Sequence, residues 1–207
     1  MLLFGHLGIT LGAALAVQGV KQYSGTNSEK KITQLSPTEI DDKLSNPRKR
    51  FSLVSVTETL AKNIDIRFLL AGAILPDIID KPMGIFHIGN GRSISHTLLF
   101  LFIFTVTGLL LYILRKWKRI LILAAGIFFH LILDSMWLNP HTLFWPFNGL
   151  QLSAGNPSAW FSYWGSELTG DPLIYLGEAI GFLIIVYFIY FLFKQKKFVS
   201  FLKYGYL

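Results

Sequence analysis

Histidine and carboxylate side chains lie close to one end of each of the most apolar stretches of this sequence. Ionisable groups inside apolar, membrane-type helices are costly and mark functional sites. Imidazole and carboxylate groups are also accepted ligands of Zn²⁺, Mn²⁺ and Fe²⁺. The residues with this placement are therefore candidates for a metal site: His6, Asp77, Asp80, His96, His130, Asp134 and Glu178.

The motif HLILD at 130–134 is the most specific of these elements. His130 and Asp134 are four residues apart, so on a helix both side chains project from one face. An imidazole and a carboxylate in this arrangement can bind one metal ion. The alternative is a hydrogen bond between the two side chains within the helix, and the apolar surroundings of both residues weigh against it.

Two carboxylates follow each other in the motif LPDIID at 75–80. Asp77 and Asp80 are three residues apart and would share a helix face. One could bind a metal directly, while the other bridges to a second ion or orients a histidine ligand. Alternatively, Asp77 follows Pro76 only to cap a helix end or to face water.

Residues outside these two motifs could complete the site. His96, in RSISHT, falls just inside a predicted helix start; the alternative is an interfacial histidine with Ser93 or Ser95 as the N-cap. Arg92 could hold a phosphate through its planar guanidinium, or be a plain surface charge. His6, in FGHLGIT, would be unremarkable without the other candidates.

Three further residues are weaker candidates. Glu178, in LGEAIG, needs a partner because a buried carboxylate is costly. It could be a ligand, an acceptor that orients a ligand, or a protonated carboxyl in helix packing. His87 and His141 fall in loops that are predicted to lie on the same side of the membrane as the other candidates.

The composition indicates an integral membrane protein. Of 207 residues, 52% are hydrophobic and 15% are charged, whereas charged residues make up about a quarter of a soluble domain. There is no cysteine, which excludes disulfides and thiolate ligands. The first apolar stretch has no basic residue before it and no clear cleavage site, so we expect a retained helix rather than a signal peptide.

Apolar segments of spanning length predict an all-α, polytopic membrane helix bundle. A spanning helix needs about 20 mostly apolar residues. Segment 64–80 is the shortest, because Pro76 should end or kink it near the carboxylates. With it, the sequence predicts about five spans: 2–20, 64–80, 94–114, 119–138 and 173–193.

The distribution of Lys and Arg sets the orientation of the spans. Seventeen of the nineteen basic residues fall in 21–67, in 115–119 or after Phe193, which leaves only Lys81 and Arg92 on the other side. The N-terminus is then outside and the C-terminus cytoplasmic, and every candidate ligand lies near the outer end of its helix. This topology also explains the net charge of +7 without nucleic-acid binding.

Residues 1–207 are predicted to form a single integral membrane domain with two long connections. Residues 21–63 have mixed charge and would form a cytoplasmic loop. Residues 139–172 lack basic residues and are rich in aromatic residues, Gly and Pro, which predicts an extracytoplasmic loop. Its tryptophans would form either an interfacial aromatic layer or a lid over the site: Trp145, Trp160 and Trp164.

The order of the motifs resembles the YdjM-like family of inner-membrane proteins, predicted metal-dependent hydrolases. From His6 to about Pro146 the pattern is an N-terminal His, LPD-x-x-D, Arg-x-x-Ser/Thr-His, and His-x-x-x-Asp before a proline-containing loop. Gly91 departs from the family, which commonly has a histidine there. The order is also similar to the soluble zinc-dependent phospholipase C and nuclease group, whose clustered zinc ions cut phosphoesters.

The resemblance implies metal ligands at His6, Asp77 or Asp80, His96, His130 and Asp134, with Asp134 as the natural bridge between two ions. The soluble enzymes use an N-terminal Trp and a later His-x-x-x-Glu for a third metal. This chain begins with Met1 and has no histidine after His141, so we expect one or two ions. Zn²⁺ suits mixed His and carboxylate ligands, and Mn²⁺ or Fe²⁺ would also be accepted.

These expectations combine into a hydrolase of the inner membrane that uses a metal-activated water. Whichever of Asp77 and Asp80 is not a ligand would act as general base, and Arg92 would stabilise charge on phosphoryl oxygens. A site at the outer headgroups favours a phosphoester of a membrane lipid or amphiphile as substrate. Two other classes stay open, an ion or proton transporter and a non-catalytic scaffold with a structural metal.

Overall fold

The computed structural model describes residues 3–17, 64–85, 91–150 and 172–205. Within these ranges the chain forms seven α-helices, two short 3₁₀ helices and no strand, which confirms the all-α class. The 3₁₀ helices are Ile94–His96 and Met136–Leu138. The α-helices, numbered in chain order, are α1 Leu3–Val17, α2 Ile66–Ile85, α3 Leu98–Arg115, α4 Arg119–Leu133, α5 Pro140–Leu143, α6 Pro172–Lys194 and α7 Phe198–Tyr204.

The chain divides into two compact units, Met1–Leu11 with Asp65–Leu207, and Gly12–Ile64. Every candidate site residue that the structure describes belongs to the first unit. The predicted cytoplasmic loop 21–63 lies outside the described residues, and so does most of the predicted aromatic loop, 151–171. The assignment of one membrane domain and of these loops therefore stays a prediction.

Two helices, α3 and α6, are long and apolar enough to cross a membrane, and α1 and α4 are apolar but shorter. The exposed surface of α3 and α6 is strongly apolar, with Leu114 75% and Leu183 64% accessible. Apolar surface of this extent is typical of a protein that contacts lipid or a partner. The five spans and their orientation stay predictions.

Helix α2 continues through Pro76 and Pro82 to Ile85, so Pro76 does not end it as one of our alternatives held. A proline inside a helix removes an N–H and disturbs the carbonyls of the preceding turn. In α2 two of the carbonyls near Pro76 accept hydrogen bonds from outside the helix. The Ala73 oxygen accepts from His130 Nδ1 at 2.8 Å and the Pro76 oxygen from Ser95 Oγ at 2.9 Å.

Helices α2 and α4 pack with their backbones in contact. A Cβ atom added to Gly72 would overlap the carbonyl oxygen of Leu123, and one added to Gly126 would overlap that of Leu69. Small residues allow this approach between helices. The contact lies about one turn before Asp77 on α2 and before His130 on α4, so it brings the two motifs together.

Glycines bring α1 and α6 together in the same way. A Cβ atom on Gly8 would overlap the carbonyl oxygen of Gly181, and one on Gly181 would overlap that of Phe4. Phe4 and Phe182 also meet edge to face, with ring centroids 5.4 Å apart. This packing fixes the first turns of α1, which carry His6.

The ends of α3 and α4 differ from the predicted spans 94–114 and 119–138. Helix α3 begins at Leu98, and its N-cap is Thr97, whose hydroxyl accepts from the Phe100 amide at 3.0 Å. Our alternative of Ser93 or Ser95 as its N-cap was wrong, since His96 already lies in the preceding 3₁₀ helix. Helix α4 ends at Leu133, because Asp134 is its C-cap and Ser135 has a left-handed φ of 51°.

Candidate metal centre

Four side chains from α2, from α4 and from the turn before α3 converge on one point. One potential ligand atom from each lies within 4.8 Å of all the others: Asp77, His96, His130 and Asp134. His96 and His130 have no solvent-accessible surface, and Asp134 is 8% exposed. Buried polar groups of this kind must be paired or bind a cation.

The imidazole of His130 is oriented by the backbone of α2. Its Nδ1 lies 2.8 Å from the carbonyl oxygen of Ala73. Because a carbonyl can only accept, Nδ1 carries the hydrogen and the neutral ring has its lone pair on Nε2. A histidine held through one nitrogen by a backbone carbonyl is a common arrangement for a metal ligand.

The imidazole of His96 is oriented by Asp80. His96 Nδ1 lies 2.7 Å from Asp80 Oδ2, which also accepts from the Ser93 amide at 2.6 Å. The Ser95 amide donates to both oxygens of Asp80, at 3.3 and 3.2 Å. Asp80 is fully buried and its oxygens are occupied by these donors. Of the alternatives that the LPDIID motif left open, Asp80 takes the one in which it orients a histidine.

The Nε2 atoms of His96 and His130 face each other at 3.1 Å. With hydrogens on both Nδ1 atoms, two lone pairs meet at this distance, and they repel unless a positive charge lies between them. Two nitrogen ligands, each about 2.0–2.1 Å from a tetrahedral Zn²⁺, would be roughly 3.3 Å apart. The residues present therefore fit a divalent metal.

Asp77 contributes the second carboxylate of LPDIID to this point. Its Oδ1 lies 3.6 Å from His96 Nε2 and 3.9 Å from His130 Nε2. Its other oxygen, Oδ2, accepts from Lys81 Nζ at 2.6 Å. One oxygen therefore faces the two imidazoles and the other is bound to an ammonium group.

Asp134 likewise divides its oxygens between partners. Oδ1 lies 3.1 Å from His6 Nε2, whereas Oδ2 accepts from Arg92 Nε at 3.0 Å and lies 3.8 Å from His96 Nε2. Our alternative of a hydrogen bond between His130 and Asp134 was wrong, because the two ring nitrogens of His130 face Ala73 and His96.

His6 adds a third imidazole at the edge of the group. Its ring stacks on that of His130, with centroids 4.3 Å apart and an interplanar angle of 27°. The first turn of α1 is held by Glu178 of α6, which accepts from the amides of Phe4 at 2.9 Å and Gly5 at 3.0 Å. Of our three alternatives for Glu178, these contacts fit the acceptor that orients a candidate ligand, because α1 carries His6.

The sequence prediction named Lys81 and Ser95 but gave neither of them a role in the site. Lys81 was assigned only by its charge, although its spacing of four residues from Asp77 could have indicated the ion pair. Ser95 was considered only as a helix cap, yet its amide and hydroxyl bind Asp80 and Pro76. His141 is exposed on α5 and lies outside the group of four, and His87 lies outside the described residues.

Comparison with known proteins gives one result. A family model described as YdjM inner membrane protein matches residues 1–202. The match includes α6, which the motifs from His6 to Pro146 do not reach. No curated protein and no solved structure matches the chain significantly.

Proposed function

The chain belongs to the YdjM inner membrane protein family, and on that premise we propose that it is a membrane-embedded, metal-dependent hydrolase. Its substrate would be a phosphoester of a lipid or amphiphile at the extracytoplasmic face. The observation that carries the proposal is the pair of imidazoles whose Nε2 atoms approach to 3.1 Å while their Nδ1 atoms are bound elsewhere. Zn²⁺ is the metal we expect, with Mn²⁺ or Fe²⁺ as substitutes.

We further propose a bundle of about five spans with the site near its outer surface. The family description and the two candidate spans support a membrane location. The orientation rests on the basic residues, seventeen of which fall on the opposite side from the site. Because the chain has no cysteine, single cysteines report topology directly. Asn156→Cys should react with an impermeant thiol reagent in intact cells and Ser45→Cys only after lysis; the reverse pattern would overturn this orientation.

In the proposed reaction a bound divalent ion supplies a Lewis acid and a water that loses its proton near neutral pH. His96 and His130 would hold it through Nε2, and Asp134 through a carboxylate oxygen. Asp77 Oδ1 would either complete the ligand set or accept the proton of the attacking water. Arg92, whose Nε donates to Asp134 Oδ2 at 3.0 Å, would contact phosphoryl oxygens through its guanidinium group.

The role of Asp77 can be separated by one substitution. In Asp77→Asn the amide oxygen still reaches the group, but it cannot take up a proton as a carboxylate does. Metal retained with turnover lost would assign Asp77 as the base. Loss of the metal would assign it as a ligand.

A second ion is a further part of the proposal. Asp134 presents Oδ1 towards His6 and Oδ2 towards Arg92 and His96, so its two oxygens could bridge two ions. His6 would then be the imidazole ligand of the second ion. The metal-to-protein ratio distinguishes one ion from two.

Metal analysis of the purified protein tests the proposal. We expect wild-type protein to hold metal, His130→Ala and Asp134→Ala to lose it, and His141→Ala to keep it as the matched histidine control. Wild-type protein that holds no metal would contradict the proposal of a metal-dependent hydrolase. Retained metal without turnover of any phospholipid or phosphomonoester in a panel would favour a scaffold with a structural metal.

The contact between His96 and His130 also favours one alternative function, an ion or proton transporter. A shared proton on Nε2 would bring two imidazoles to about the 3.1 Å observed. Protein without metal that carries a strongly deshielded imidazole proton in its NMR spectrum would favour this alternative. The candidate ligands His96, His130, Asp77 and Asp134 form one cluster rather than a series along the helices, which argues against a path through the membrane.

A further inference from the structure

Two basic side chains flank the candidate metal centre, and each binds one oxygen of one of its carboxylates. Lys81 Nζ lies 2.6 Å from Asp77 Oδ2, and Arg92 Nε lies 3.0 Å from Asp134 Oδ2. Both side chains are 26% exposed, whereas the two imidazoles beyond them are fully buried. The cations therefore stand between the buried group and the surface.

The sequence makes this placement unusual. Between Phe68 and Leu114 the chain has no basic residues except Lys81 and Arg92, and residues 139–172 have none. A cation that only compensated surface charge could lie anywhere on this side. Both are instead hydrogen-bonded directly to the carboxylates that face the imidazoles.

Charge counting indicates what the two cations do. The negative charges of Asp77, Asp80 and Asp134 exceed the positive charges of Lys81 and Arg92 by one, so with neutral imidazoles the group has a net charge of −1. One divalent ion would make it +1. Without the two cations the same loaded group would be −1 and would repel an anion.

We propose that Lys81 and Arg92 form an anion-docking pair that accepts a phosphate-type group of the substrate beside the metal. This inference rests on the proposed function. Lys81 is the new member, a substrate-binding residue whose ammonium turns from Asp77 towards the anion while Arg92 does the same from Asp134. Flexible, compact ammonium groups suit this exchange, and the guanidinium supplies a planar fork for two phosphate oxygens.

The pair has a consequence that a purely structural ion pair lacks. Lys81 repels a divalent cation and occupies one oxygen of Asp77, so it weakens metal binding. The same charge attracts an anion once metal is present. Removing the ammonium should therefore change the two affinities in opposite directions.

The test compares wild type, Lys81→Met and Lys81→Arg as purified full-length protein in nanodiscs. Zn²⁺ affinity is measured by competition with a chromophoric chelator, and inorganic phosphate binding to the metal-loaded protein by ³¹P NMR line broadening. We expect Lys81→Met to bind Zn²⁺ about tenfold more tightly and phosphate about tenfold more weakly. Lys81→Arg should restore most of the phosphate affinity.

Lys194→Met is the control for loss of one positive charge. Lys194 lies at the end of α6, with its ammonium over the Tyr190 ring, and neither affinity should change. If metal-loaded Lys81→Met has unchanged phosphate affinity, the docking pair is overturned, whereas the proposal of a metal-dependent hydrolase is unaffected. A fall in both the Zn²⁺ and the phosphate affinity, as a damaged fold would produce, would also overturn the docking pair. Wild-type protein that binds no Zn²⁺ would overturn both proposals.

Discussion

Substitution of Asp80 tests the geometry of the centre without touching a ligand. Asp80 Oδ2 accepts from His96 Nδ1 at 2.7 Å and from the Ser93 amide at 2.6 Å, and Asp80 also binds the Ser95 amide. It thereby fixes both the tautomer of His96 and the turn that carries it. We predict that metal affinity falls in Asp80→Asn and falls further in Asp80→Ala.

The expected magnitudes follow from the hydrogen bonds that each variant keeps. Asparagine retains one acceptor oxygen, enough for His96 and Ser93, but it places an amide group opposite the Ser95 amide and loses the negative charge. Alanine leaves all three donors without an acceptor. Loss of a group that orients a histidine ligand typically costs 10- to 100-fold in metal affinity, or about 1.4–2.7 kcal/mol. Asp80→Asn should lie near the lower end and Asp80→Ala near the upper.

The assay is chelator competition for Zn²⁺ on purified protein, with circular dichroism and gel filtration as checks on the fold. Asp65→Asn is the matched control, because Asp65 is also buried and adjoins the other end of α2, where it pairs with Arg67. Its metal affinity should equal that of wild type. Folded Asp80→Ala whose Zn²⁺ affinity stays within about twofold of wild type would refute the argument that Asp80 orients His96.

Three further predictions concern the elements that position the site. Glu178→Ala should lower stability by about 1–2 kcal/mol in thermal unfolding, because two amides of α1 lose a charged acceptor; Glu178→Gln should lose less, and equal stability of all three proteins would contradict this anchor. Gly126→Val should abolish metal binding, since its side chain would separate α4 from α2; Gly108→Ala, at the α3–α4 contact, should lower the melting temperature but keep the metal. His6→Ala should reduce the metal-to-protein ratio by one if a second ion is bound, and an unchanged ratio would remove His6 from the ligands.

The sequence was sufficient to predict which motifs come together, but not which role each residue has in the site. His130 and Asp134 were paired by their spacing, and LPDIID was assigned to the same site because charge placed both at one side of the membrane. The roles of Asp77 and Asp80 could not be separated, because both lie on one face of α2. The two roles are separated by the Ser93 and Ser95 amides, which bind Asp80 and belong to a turn more than ten residues away in the chain.

Other differences also come from tertiary contacts. Pro76 was expected to end or kink its helix, and the first of these alternatives was wrong, because α2 runs on to Ile85. Partners for carbonyls near Pro76 come from His130 and Ser95, which local propensity cannot anticipate. Glu178 was recognised as a carboxylate that needs a partner. Its partners proved to be backbone amides of α1, and a single sequence gives no indication of that pairing.

The three carboxylates of the candidate centre all have partners within the protein. Asp77 is bound to Lys81, Asp80 to two amides and His96, and Asp134 to Arg92 and His6. None of these carboxylates depends on a metal for its partner, unlike the ligands of small domains that fold only with zinc. The approach of the two Nε2 atoms to 3.1 Å is the contact that a cation, either a metal ion or a shared proton, would stabilise. Helices α2 and α4 are in contact through glycine packing, so the elements that carry the candidate ligands would keep their places whether or not an ion is bound.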